Sequence, residues 1–388
     1  MDVTRYRLDT PATERLIHFN NAGSSLSPQP VQQALLEYLQ LEQSLGGYEA
    51  AELVAKPIAR FYSAFAELLH CSEDEIAWSE NATLAWNFLL QAIPLRAGDC
   101  ILTSQSEYAG NYLSLLHLSK RIGVEILVVA NDASGLVDLQ KFEEAIDDRV
   151  KLIALTHVPS KCGVIHPARE VGQLARQHGI LFLLDACQSV GQIDLNVDEI
   201  GCDMLVGSGR KYLRGPRGTG FMYVRRSCLA KLEPAWVDMQ SAQWIDTQQI
   251  RVREDARRFE SWERYVAGQI ALGVAVDYAL AIGMPAIQAR VQTLAATLRQ
   301  QLADIPGMVL HETGSSLSGI VTFSKSNESP PALQKRLQAA GINSSVGQAA
   351  KERLDFGMRG LGDINRASVH YYNTEAEVER FCQVVAVS

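Results

Sequence analysis

Two polar clusters in this 388-residue chain sit where short apolar runs end. The run Leu181–Leu184 stops at Asp185-Ala186-Cys187-Gln188. An acid directly behind four apolar residues is costly to bury unless something partners it. A protonated ring nitrogen is one such partner; a helix cap or a structural ion pair is another. The run Met204–Val206 stops at Gly207-Ser208-Gly209-Arg210-Lys211. Backbone amides, the Ser208 hydroxyl and the Arg210 guanidinium can together bind a phosphate. A lysine held near other cations has its pKa lowered, as imine formation requires. The plain alternative for Lys211 is a basic surface turn. Asp185 lies 26 residues before Lys211, one strand–helix–strand unit away. Two polar clusters at neighbouring strand ends favour a site.

Such a site needs a scaffold that brings strand ends together. Short runs rich in Val, Ile and Leu recur at Glu75–Trp78, Cys100–Thr103, Val124–Val129, Lys151–Thr156, Ile180–Asp185, Asp203–Val206 and Gly220–Val224. These read as buried strands. Helical patterns lie between them, at Val31–Leu45, Ala50–Leu69, Asn111–Ile122, Asp138–Ile146 and His166–His178. The alternation predicts an α/β fold with a mostly parallel seven-stranded sheet flanked by helices. Ligands of such sheets bind beyond the strand carboxyl ends. After Arg258 the pattern changes. Helices are expected at Trp262–Gly283, Pro285–Ala303 and Pro331–Ala340, with strands at Met308–His311, Ile320–Phe323 and Ala367–Tyr371. Thr374, with Glu377 three residues on, predicts a capping box on a final helix. The expected organisation is an N-terminal segment at 1–25, a large domain at 26–258 and a smaller α+β domain at 259–388.

Composition narrows the function. Hydrophobic residues make up 47% and charged residues 21%, which suits a globular protein and not a disordered one. The net charge of −8 disfavours nucleic-acid binding. No secretory signal and no continuous apolar span is visible, so the expectation is a cytoplasmic protein with no membrane partner. The seven cysteines show no C-x-x-C spacing, so neither a disulfide framework nor a metal site is expected.

Asp185-x-x-Gln188, Ser208-Gly209-Arg210-Lys211 and Gly215-Pro216-Arg217-Gly218-Thr219-Gly220 resemble the class V aminotransferase and cysteine desulfurase superfamily. Its members are fold type I enzymes that use pyridoxal 5′-phosphate (PLP). The resemblance extends to His18-Phe19-Asn20-Asn21-Ala22-Gly23, Glu80-Asn81-Ala82-Thr83, Phe259-Glu260-Ser261-Trp262 and Arg366-Ala367-Ser368. It implies a Schiff base between Lys211 and PLP, with Asp185 holding the pyridine nitrogen protonated. It places Gln188 near the cofactor's phenolate oxygen. Asn81, Ala82, Thr83, Ser208 and Arg210 fall at the phosphate. Arg366 is expected to clamp the substrate carboxylate, with Asn21 and Ala22 lining the same end. The resemblance also implies a homodimer with shared active sites.

Several departures from that family are informative. Tyr108 stands where many desulfurases place a His over the ring, and Ser160 where relatives often have Asn. Ser261-Trp262 replaces a Gly-Thr pair that can reach the partner subunit. Arg214 and Arg217 add cations beyond Lys211, for a second acidic group on the substrate or for interface pairing. A desulfurase attacks its substrate with a cysteine of the small domain. Here no Cys occurs between Cys228 and Cys382, and Ser344–Asp363 offers no residue able to carry a persulfide. Cys187 is expected in the large-domain core. The favoured reading is a lyase that breaks a C–S bond of a cysteine-derived amino acid by β-elimination, with Lys211 as base. An aminotransferase and an epimerase or racemase, with Tyr108 as second acid, remain open. So does a catalytically silent PLP-fold binding partner.

Overall fold

The computed structural model describes residues 1–312 and 314–387. Its large sheet contains β1 (Ile76–Ser79), β2 (Cys100–Ser104), β3 (Glu125–Val129), β4 (Val150–Thr156), β5 (Leu181–Asp185), β6 (Met204–Ser208) and β7 (Gly220–Val224). Their order across the sheet is β1-β7-β6-β5-β4-β2-β3. Only β7 runs against its neighbours. All seven expected strands are present, shifted by at most two residues at either end. The interior strands are buried along almost their whole length, which explains their unbroken apolar character. β3 forms one edge, and its outward side chains, led by Glu125, are correspondingly exposed.

Helices cover both faces. α1 (Gln29–Leu45), α2 (Ala55–Leu69), α5 (Ala168–Gln177) and α6 (Val266–Ile282) lie on one, and α3 (Ala82–Ala92) and α4 (Ala109–Ile122) on the other. The pattern Ala50–Leu69 predicts one helix, but the structure breaks it at Val54 into Gly47–Leu53 and α2. Pro57 accounts for the break: its ring would clash with the carbonyl of Leu53 and it has no N–H to donate. α6 starts at Val266, not at Trp262 as expected, with Tyr265 as its cap. Its Ala271, Leu272, Ala275 and Val276 join Phe61 and Phe65 of α2 in the core. Gly283, at φ +92°, then turns the chain by 81° into α7 (Met284–Ala303). No single helix among the described residues is long and apolar enough to cross a membrane.

The second sheet is antiparallel, in the order β8 (Met308–Leu310), β9 (Ile320–Lys325), β11 (Ile364–Ser368), β10 (Ser345–Gly347). α7, α8 (Pro330–Ala339) and α10 (Glu375–Ala386) supply its core, with a short α9 (Arg353–Arg359) between β10 and β11. The expected strand Ala367–Tyr371 is displaced to β11. His370, Tyr371 and Tyr372 leave the ladder and pack on one another and around Arg214. Thr374 and Glu377 form the capping box. The N-terminal segment is sewn to this sheet's side of the molecule: Ile17–His18 pairs with Ile342–Asn343, and Phe19 lies in the same core.

Gly191 locks the turn that follows β5 against the segment after Lys211. It sits at φ +88°, and a Cβ there would stand 2.4 Å from the Tyr212 carbonyl carbon. Gly191→Ala therefore combines backbone strain with a backbone clash, for a loss of about 2–3 kcal/mol. Urea unfolding should show a lower midpoint at unchanged slope.

Candidate active site

The carboxyl ends of β2, β4, β5 and β6 meet at one edge of the sheet and frame a small cavity of about 80 Å³. β5 delivers Asp185 and Gln188, and β6 delivers Ser208, Arg210 and Lys211. Asn81, Ala82 and Thr83 arrive on the first turn of α3. Tyr108 and Ser160 come from the loops after β2 and β4. Because β7 is reversed, the residues just before it, Gly218 and Thr219, reach the same edge. Spacing along the chain thus becomes proximity through the parallel register, Thr156 beside Asp185 and Asp185 beside Val206.

The buried carboxylate of Asp185 is held at both oxygens. Oδ1 accepts the Cys187 N–H at 2.8 Å, and Oδ2 accepts from Asn111 Nδ2 at 2.8 Å. Lys211 is 9% exposed. Burial lowers its pKa, helped by Arg210 and Arg366 and opposed by Cys187 and Asp185. A larger fraction of neutral amine results, which a nucleophile or proton acceptor needs. At the start of α3, Asn81 caps Leu84 N–H at 3.0 Å. The next amides belong to the first helical turn, where N–H groups lack internal partners and favour an anion.

Arg366 enters from β11. Its Nη1 donates to the Ser160 carbonyl at 3.0 Å and its Nη2 to Asn20 Oδ1 at 3.0 Å. Its Nε is buried with no partner. Burial holds the guanidinium down at about 10, so it stays charged at neutral pH. Ala22 reaches the site by its backbone, its carbonyl accepting from Gln188 Nε2 at 2.9 Å. The Tyr108 ring is 40% exposed at the rim and folds over Gly110, where a Cβ would meet it at 2.6 Å.

Three expectations are corrected. Asn21 does not line the carboxylate end: its fully buried amide ties Ser368 O at 2.7 Å and Tyr372 OH at 2.6 Å, so the side chain is used up in the fold. Its neighbour Asn20 faces Arg366 instead. Arg214 is 1% exposed, bonded to Leu26 O and Tyr371 OH, and cannot meet a substrate. Cys187 lines the cavity and is not confined to the core. Thr156 and Val158, which sequence reasoning passed over, line the same space, as do Asn111 and Thr219, to which it gave no role. Lys161 was missed too. Burial and then Arg366 lower it to about 7, while burial raises its neighbour Glu352 to about 7. The polar pair Ser160-Lys161 just behind β4 was the available signal.

The residues fit PLP. The buried Ser208 Oγ and Gln188 Oε1 have no protein partner and require a polar ligand. A buried amine, a carboxylate and a helix start match the cofactor's aldehyde, ring nitrogen and phosphate. Fold and site together define a PLP-dependent enzyme of fold type I. The chain belongs to the aminotransferase class-V family, whose description matches residues 17–381. A probable cysteine desulfurase of Methanothermobacter thermautotrophicus is 30% identical over 379 residues, 96% of this chain and 94% of its own. An apo cysteine desulfurase from Thermococcus onnurineus NA1 superposes with a TM-score of 0.92 at 26% identity, covering 99% of this chain and 97% of its own. The cystine C-S lyase C-DES, solved with its product cysteine persulfide, shares the fold at a TM-score of 0.88 and 21% identity, covering 97% and 99%.

The two neighbouring asparagines separate by experiment. Asn20→Ala should raise KM roughly tenfold with little change in kcat, from losing one hydrogen bond to a charged group. Asn21→Ala should instead lower stability by about 2 kcal/mol, read as a lower denaturation midpoint.

Proposed function

We propose that this chain cleaves the C–S bond of a cysteine-derived amino acid by β-elimination and passes no sulfur to a protein cysteine. The cysteine map carries this reading. No Cys lies between Cys228 and Cys382, the stretch that contains β10, α9 and Arg366. Cys187 lines the cavity and Cys162 follows two residues after Ser160, and burial pushes both thiols up to about 12. At neutral pH they stay protonated, and a thiol is a poor sulfur acceptor compared with a thiolate.

PLP, when bound, supplies an electron sink conjugated to the substrate's Cα. The protein's part is positional. Arg366, steadied by Asn20 and Ser160, binds the α-carboxylate. Asp185 would accept the ring N–H. Ser208, Thr83 and the α3 amides would hold the phosphate, with Arg210 beside them. Tyr108 covers one side of the site and limits water. Lys211 takes the proton from Cα. The Cβ–S bond then breaks, and its electron pair leaves with sulfur, which is protonated to a thiol or related acid. The unsaturated amino acid left behind hydrolyses to pyruvate and ammonia. Each residue needed for this sequence is present, and a nucleophilic cysteine is not needed.

A second copy of the chain completes the proposal. Thr83, at the cavity, is exposed, and Tyr48 at 74% and Trp262 at 49% line a separate groove of about 810 Å³ that also contains Tyr265. Apolar side chains of this size on an open face favour association.

Wild-type protein loaded with PLP should show the visible band of the lysine-bound cofactor, and Lys211→Ala should abolish it. With S-substituted cysteines the wild type should release pyruvate and ammonia in equal amounts. Amino transfer to an added keto acid, or loss of optical activity alone, would contradict the lyase reading.

A further inference from the structure

Glu107 lies between β2 and α4 and is 4% exposed. Its Oε1 accepts from Asn111 Nδ2 at 2.9 Å, from Tyr108 N at 2.9 Å and from Thr156 Oγ1 at 2.5 Å. Its Oε2 accepts from Thr103 Oγ1 at 3.2 Å. Asn111, on the first turn of α4, has two hydrogens on Nδ2. One goes to Glu107 and the other to Asp185 Oδ2. A single amide nitrogen thus joins two buried carboxylates. The same Glu107 oxygen holds the backbone of Tyr108. Surface solubility explains none of this, and a purely structural polar cluster has no need to end on Asp185.

We propose that Glu107 is a positioning residue that acts through Asn111 on Asp185, and so sets the proton affinity of the cofactor. The proposal rests on Asp185 meeting the ring nitrogen and not on the reaction that follows. Burial raises Glu107 to about 7. Asp185 on β5 is the charged group that faces it and raises it further, while the Thr156 hydroxyl, the Asn111 amide and the Tyr108 N–H lower it. A cationic ring nitrogen on Asp185 cancels part of the repulsion between the two acids. Glu107 then ionises and draws the Asn111 amide more strongly, so Asn111 donates less to Asp185 Oδ2, and the more negative Asp185 favours the protonated cofactor.

The test is a pH titration of the visible band in substrate-free holoenzyme. Glu107→Gln keeps the size and the acceptor oxygen but removes the charge. A neutral amide at 107 draws the Asn111 hydrogens less, Asn111 donates more strongly to Asp185, and the ring nitrogen loses its proton more easily, so the midpoint should fall by about one pH unit. Asn111→Ala should also move the midpoint, and the double variant should match Asn111→Ala alone, because one residue acts through the other. An unmoved midpoint in Glu107→Gln, or independent addition in the double variant, overturns the proposal. If Gln at 107 prevents folding, an unmoved midpoint in Asn111→Ala overturns it equally. Asp185→Asn separates the underlying assignment. An unmoved band there removes Asp185 from the ring nitrogen and the proposal with it. A moved band there, with an unmoved one in Glu107→Gln, overturns the proposal alone.

Discussion

The structure depends on keeping a carboxylate and an amine out of water in one small space without letting them neutralise each other. Asp185 tolerates burial because each oxygen has a donor, the Cys187 amide and the Asn111 side chain. Such donors replace the water that a carboxylate loses, a loss that otherwise costs several kcal/mol. Lys211 is treated differently. Burial and the nearby arginines lower its pKa. The charge of Asp185 is thereby reserved for a ligand, and the lone pair of Lys211 is made available to one.

The fold meets this constraint with a parallel sheet, whose carboxyl ends open on one edge. The reversed β7 brings Thr219 and the start of α3 to the same edge. The second sheet then supplies Arg366, and the N-terminal segment fills the seam with Asn20 and Ala22. Three separate stretches of chain therefore meet around Arg366. The segment from Ala349 to Arg359 is pinned over it as well: Asp355 accepts from Gln105 at 3.0 Å, and Arg359 donates to the His311 carbonyl. In this segment, which contains no cysteine, Glu352 faces Lys161 and Arg366.

Much of this was legible in the sequence because the interior strands are buried on both faces and end in polar residues. That pattern marked all seven strands of the large sheet and the polar clusters at Asp185 and Lys211. What stayed hidden depends on which way a side chain turns. Asn20 and Asn21 are adjacent and identical, and only the pairing of Asn21 with Ser368 and Tyr372 shows that it faces inward. Glu107 and Asn111 flank Tyr108 in the segment that resembles the family's Glu-His-x-x-Asn, but their own link shows only when Asp185, 74 residues beyond Asn111, folds against them. Of the expected strand Ala367–Tyr371, Ala367 and Ser368 stay in the ladder, but Tyr371, with the following Tyr372, serves a cation–π cluster around Arg214. The break at Pro57 was readable from the proline alone.

The central claim is that sulfur leaves this site without resting on the protein. Intact-protein mass spectrometry after turnover of a sulfur-linked cysteine derivative, without reductant, tests it directly. The account predicts an unchanged mass while pyruvate accumulates. A gain of one sulfur atom on any of the seven cysteines, formed at the rate of turnover, would contradict it.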